Sequence, residues 1–84
     1  MNEKKIGVIT HYFGNISVGI IQLSDSVKVG DSIHIKGVHD DFGQTIGSIQ
    51  IEYEKKEEGN KGDFIGIKVA QKVHPHDRVY LVTE

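Results

Sequence analysis

The chain has 84 residues, no cysteine, and ten Lys and Arg against twelve Asp and Glu, a formal net charge of -2. At this length a single domain spanning residues 1–84 is expected, with a small core and neither a disulfide framework nor a thiolate metal site to staple it. The near-even charge gives no overall pull towards phosphate backbones, and the charged start Met1-Asn2-Glu3-Lys4-Lys5 has no apolar stretch behind it, so no membrane partner is expected and the cytoplasm is the expected compartment.

From Lys5 to Phe13 the strand formers Ile6, Val8, Ile9, Tyr12 and Phe13 put apolar side chains on both faces, which predicts the most buried strand of the fold. Phe13-Gly14-Asn15 offers a turn. Val18 to Leu23 resumes as a short strand with Gly19 inside it, where a bulge or a close backbone approach is expected. Ser24-Asp25-Ser26 is a polar break before Val27-Lys28-Val29-Gly30-Asp31, whose Gly30 is free to take positive φ. The strand after it alternates, with Ile33 and Ile35 on one side and Ser32, His34 and Lys36 on the other.

Val38 to Gly43 reads as a polar connection, and Gln44 to Tyr53 as one continuous strand in which Ile49, Ile51 and Tyr53 alternate with Ser48, Gln50 and Glu52. Glu54 to Gly62 lacks any apolar residue and reads as a solvated loop. Phe64 to Ala70 alternates again, Val73 to Asp77 is a turn set by Pro75, and Arg78 to Val82 is the last strand. Six strands with no amphipathic helix predict an all-β fold, a small six-stranded antiparallel Greek-key barrel.

Few residues invite chemistry. Asn60-Lys61-Gly62-Asp63 matches the N-K-x-D motif that reads guanine, but the chain has no G-x-x-x-x-G-K-[ST] loop to hold phosphates, so no GTP binding is expected. His74-x-His76, with Asp77 next to it, gives an alternative reading as a metal-binding protein, and His39-Asp40-Asp41 offers further donors if folding brings them close. His11 and His34 lie in strands, as surface or satisfied residues. No serine has a glycine-elbow context, so no catalytic residue and no cofactor are expected.

Three blocks, Val18-Gly19-Ile20-Ile21, Lys28 to Gly37, and Gly62-Asp63-Phe64-Ile65-Gly66-Ile67, resemble in order and spacing the second domain of translational GTPases such as elongation factor Tu. Small translation elongation factor-like proteins look similar, and a similar barrel also ends collagenase-like peptidases. The resemblance implies a non-catalytic binding module associated with RNA, the ribosome or the translation machinery; the alternative is a protein–protein adaptor or a detached accessory barrel of such a peptidase. Where the elongation factor holds aminoacyl-tRNA, the matching stretch here places Gln50, Glu52 and Tyr53 in place of a carboxylate, an aromatic ring and a cation, so specific aminoacyl-tRNA binding is not expected. The face remains the expected docking site for a protein or ribonucleoprotein, built from His34, Lys36, Gln50, Glu52, Tyr53, Lys55, Lys56 and Lys61, with Glu54, Glu57 and Glu58 diluting its positive charge.

Overall fold

A computed structural model describes residues 2–83. Met1 and Glu84, the limits of the expected domain, lie outside the described residues. The described residues are all-β, without a helix. They form ten strands: β1 (Asn2–Phe13), β2 (Val18–Leu23), β3 (Val27–Lys28), β4 (Ser32–Lys36), β5 (Asp41–Thr45), β6 (Ile49–Ile51), β7 (Glu54–Lys56), β8 (Glu58–Gly59), β9 (Phe64–Lys68) and β10 (Arg78–Thr83).

Eight of these make one antiparallel sheet in the order β5-β4-β10-β1-β2-β9-β6-β7, and β3 pairs with β8 in a separate ladder. The expected six-stranded closed barrel is therefore corrected to an open sheet. On the edge of β5 away from β4 there is no ladder; there the Gln44 amide donates to the Lys68 carbonyl at 2.8 Å and accepts from the Ala70 N–H at 2.7 Å, at the end of β9.

The departures from the expected strands have local causes. Gln44–Tyr53 is not one strand because the backbone of Ile46 is taken by the turn before β4. Its N–H donates to the Asp31 carbonyl and its carbonyl accepts from Gly30, both at 2.9 Å, so the ladder cannot run through it. The inward positions consequently change phase, from Phe42 and Ile46 to Ile49. The polar connection from Val38 instead enters β5 at Asp41, and the charged stretch after Tyr53 supplies β7 and β8. The first strand is not uniformly buried: Asn2 to Lys5 and Phe13 are exposed. Register shifts at Lys5/Gly7 and Ile9/His11 explain how Ile6 and Ile9, three residues apart, both face inward on a period-two strand. Gly19 is a close approach, where a Cβ would stand 3.2 Å from Val73 Cγ2.

One turn recurs three times, over Lys28–Asp31, Asn60–Asp63 and His74–Asp77. In each, the aspartate N–H donates to the carbonyl three residues earlier, at 2.9 to 3.1 Å, and its Oδ2 accepts from that residue's N–H at 2.9 Å. The third residue sits at positive φ: 97° at Gly30, 91° at Gly62 and 77° at His76. This is the pattern of a type II turn locked by an aspartate, with glycine in two copies and a strained histidine in the third. Each turn launches a strand whose alternate residues fill the core: Ile33 and Ile35, Ile65 and Ile67, then Val79 backed by Leu81.

Candidate functional site

The expected docking residues divide between two regions. His34 and Lys36 are on β4, and Gln50, Glu52 and Tyr53 are on β6 and the turn after it; β10, β1, β2 and β9 lie between β4 and β6 in the sheet. His34 is held by carboxylates on both ring nitrogens, Glu3 at 2.6 Å on Nδ1 and Asp41 on Nε2. Its hydrogen bond to Glu3, and then that to Asp41, raise the imidazole pKa, while the same contact lowers that of Glu3. Lys36 reaches Glu3 at 3.6 Å and lies 5.8 Å from the Tyr80 ring centroid. Lys55 and Lys56 are exposed on β7, with Lys56 paired to Glu54 at 3.2 Å, and Lys61 is exposed in the second aspartate-locked turn. That turn is what the N-K-x-D match folds into, with the Asp63 carboxylate spent on the Asn60 N–H.

The histidine-rich turn gathers residues from two loops. Asp40, His74 and Asp77 converge, His74 Nδ1 lies 2.7 Å from Asp40 Oδ2, and the His39 ring stands 5.6 Å from that of His74. His76 is exposed and outside this group, so the His74/His76 pair expected as a metal grip is not the one formed. Burial pushes the Asp77 carboxyl up and its hydrogen bond to Asp40 adds to this, whereas that bond lowers Asp40. The group clamps the loop before β5 to the turn before β10, and its members satisfy one another.

A concave surface rich in exposed apolar side chains lies elsewhere. Four of the five large apolar side chains exposed among the described residues, Phe13 (46%), Ile16 (57%), Phe64 (54%) and Tyr53 (100%), border one groove of about 380 Å³, with Val18 and Ile20 in its lining. Strand register explains the depression: Gly66 pairs with Ile20 on one side and Gln50 on the other, and it contributes no side chain between them. A Cβ at Gly66 would lie 3.3 Å from Val18 Cγ1 and 3.5 Å from Ile20 Cδ1. The rim is two hairpin turns. Between β1 and β2 the turn carries Ile16 and ends on Ser17 at φ 56°; between β6 and β7 the two-residue turn is Glu52 at φ 51° and Tyr53 at φ 67°. Two central residues at positive φ are what a type I′ turn requires, a place normally taken by Asn-Gly. Three of the four non-glycine residues at positive φ among the described residues thus lie on this rim, and strain of that kind costs about 1–3 kcal/mol each.

Sequence reasoning found Gln50, Glu52 and Tyr53 but did not mark Phe13, Ile16 or Phe64 as surface residues. The available signals were Ile16, an apolar residue inside a turn, and Phe64, out of phase with Ile65 and Ile67.

No family model matches the chain. It is similar to an uncharacterized protease of Methanocaldococcus jannaschii, 33% identical over 81 residues, which are 95% of this chain but 20% of the relative. The chain thus spans about a fifth of the length of the curated relative it matches. In structure it is similar to the C-terminal domain of a Geobacillus thermoleovorans putative U32 peptidase, with a TM-score of 0.88, 17% identity, and coverage of 93% of this chain and 91% of that one. The selenomethionine variant of that domain gives a TM-score of 0.87 at 18% identity, covering 90% of this chain and 96% of that one. These findings overturn the expected kinship with the second domain of elongation factor Tu and with translation elongation factor-like proteins. Two of the three blocks behind that resemblance, Lys28 to Gly37 and Gly62 to Ile67, are copies of the aspartate-locked turn and its strand, a local solution that unrelated β-folds share. One relative is thus named a protease, and the solved domains that share this fold are C-terminal domains of a putative U32 peptidase.

Proposed function

We propose that this chain is a non-catalytic accessory domain of the kind that ends U32-type peptidases, and that it works by docking protein through the groove between its two strained hairpin turns. The observation that carries the reading is the near-complete match to one peptidase's C-terminal domain, together with a curated protease that keeps four-fifths of its length outside the match. The groove supports the docking half. Exposed aromatic and branched side chains gathered at a concave site, with polar residues around them, have the composition of a protein–protein interface.

The test mixes this chain with the Methanocaldococcus jannaschii protease shortened by its matching segment and follows co-elution on a sizing column, beside a peptide-cleavage assay of this chain alone. Co-elution that is lost on Phe64→Ala, with no cleavage by the chain alone, is the expected result. Peptide cleavage by the chain itself, or failure of the two to associate, refutes the proposal.

A further inference from the structure

We infer that the groove takes a polypeptide segment presenting a large apolar side chain next to a lysine or arginine, with Tyr53 as the anchor and Glu52 receiving the cation. This deepens the docking function proposed above and rests on it.

The argument starts from what lines the cavity. Its surface comes from Phe13, Ile16, Val18, Ile20, Phe64 and Tyr53, with the polar Gln50, and Glu52 is the one acidic or basic residue of its lining. The ion pairs among the described residues are made by other acids, Glu3, Asp25, Asp40, Asp41 and Glu54, so the Glu52 carboxylate borders the groove without a paired cation among the described residues. An occupant that is apolar throughout would cover this carboxylate and pay for its desolvation, whereas one carrying a cation beside its apolar side chain gains a charge-assisted hydrogen bond. The same sign argues against nucleic acid: no Lys or Arg lines the groove, and phosphates would approach an acid.

Tyr53 is the anchor by two independent observations. It is wholly exposed, and the backbone that presents it is held at φ 67° in a turn where glycine is the ordinary choice. Aromatic side chains of this kind dominate interface energetics when a partner covers them.

The experiment selects a phage-displayed library of random linear peptides on the immobilised full chain and on its Glu52→Lys and Glu52→Gln variants. Circular dichroism and urea midpoints serve as folding controls. Wild type is expected to enrich peptides with Phe, Leu, Ile or Met beside Lys or Arg, and Glu52→Lys to switch the enriched charge to Asp or Glu. An enriched peptide is then titrated by fluorescence: Tyr53→Ala weakens it by about 30-fold or more, the loss of a hot-spot residue, and Glu52→Gln by roughly tenfold. If apolar peptides are enriched with no preference of charge, or with the same preference on Glu52→Lys, the cation is wrong while docking survives. If nothing is enriched, or the peptides bind Tyr53→Ala and Phe64→Ala undiminished, both readings fall. A single-stranded RNA oligonucleotide bound in a Phe64-dependent way without any peptide, or self-association abolished by Phe64→Ala, assigns the groove another occupant and overturns the inference.

Discussion

Replacing Gly37 by alanine tests how the two loops around the histidine-rich turn are locked together. A Cβ at Gly37 would overlap Asp77 Oδ1 outright and stand 2.6 Å from its Cγ, where non-bonded carbon pairs prefer about 3.5–4.0 Å. Asp77 is 3% exposed, and its backbone is pinned: its carbonyl accepts from the Ile9 N–H at 2.7 Å and its N–H donates to the His74 carbonyl at 3.1 Å. The side chain must therefore swing away, giving up the His74 N–H at 2.9 Å and its hydrogen bond to Asp40. Crowding a packed site costs about 1–3 kcal/mol, and each of the two polar interactions given up about 1–3 kcal/mol, so Gly37→Ala is expected to cost roughly 3–9 kcal/mol. At about 0.05–0.15 kcal/mol per residue a chain of this length holds only about 4–13 kcal/mol, so the variant loses a large share of its stability. Urea unfolding followed by circular dichroism measures this, and a double-mutant cycle with Asp77→Ala assigns the cause. With the carboxyl gone, Gly37→Ala is expected to cost less than about 1 kcal/mol more. A single-variant cost under about 1 kcal/mol, or the same cost with and without Asp77, refutes the lock.

Gly30→Val isolates strain from crowding, since nothing lies within 4 Å of its would-be Cβ while φ is 97°; about 1–3 kcal/mol of destabilisation is expected, and unchanged melting refutes the turn's role. The His34 imidazole has a folded pKa raised above its unfolded value, so its stabilisation is fully present below about pH 6.5 and is lost as pH rises through the folded pKa. Unfolding midpoints measured across this window are expected to fall with pH in the wild type and to fall less steeply in His34→Gln; parallel profiles refute it. Converting Glu52-Tyr53 to Asn-Gly is expected to raise stability by roughly 1–2 kcal/mol by relieving two positive-φ residues while removing the proposed anchor. A stability that does not rise refutes the strain. Calorimetric titration with GTP or GDP is expected to give no saturable heat, and micromolar binding refutes the reading of Asn60–Asp63 as a turn.

The all-β class was legible because period-two alternation at Ile33/Ile35 and Ile65/Ile67 and the glycine turns are local signals. Closure was not, since the chain after β5 is diverted where Ile46 is captured by Gly30 and Asp31, fifteen or more residues earlier in the chain, and the edge of β5 away from β4 keeps only the Gln44 amide contacts. The groove was half legible. Gln50, Glu52 and Tyr53 were marked as outward or functional candidates, yet that Tyr53 sits at the tip of a type I′ turn cannot be read from Glu-Tyr, a pair that propensity keeps out of such turns. Tertiary pairing of Ile51 with Glu54 overrides that preference. The meeting of Asp40 with His74 and Asp77 is invisible in sequence for the same reason: more than thirty positions separate the partners, and only the β4–β10 ladder brings their loops together.

The ladder between β1 and β10 sets Asn2 opposite Thr83, and β1 lies deep within the sheet order, between β10 and β2. A nascent chain therefore carries one unsatisfied edge of its first strand until the last strand has been synthesised. Contacts this distant must be closed at full loop entropy before they return any stabilisation, which places refolding in the slow regime of β-rich domains, about milliseconds to seconds. Until then β1 offers its open edge to whatever strand is nearest, and the exposed charges of Glu3, Lys4 and Lys5 along it are what discourages a second chain from taking the place of β10.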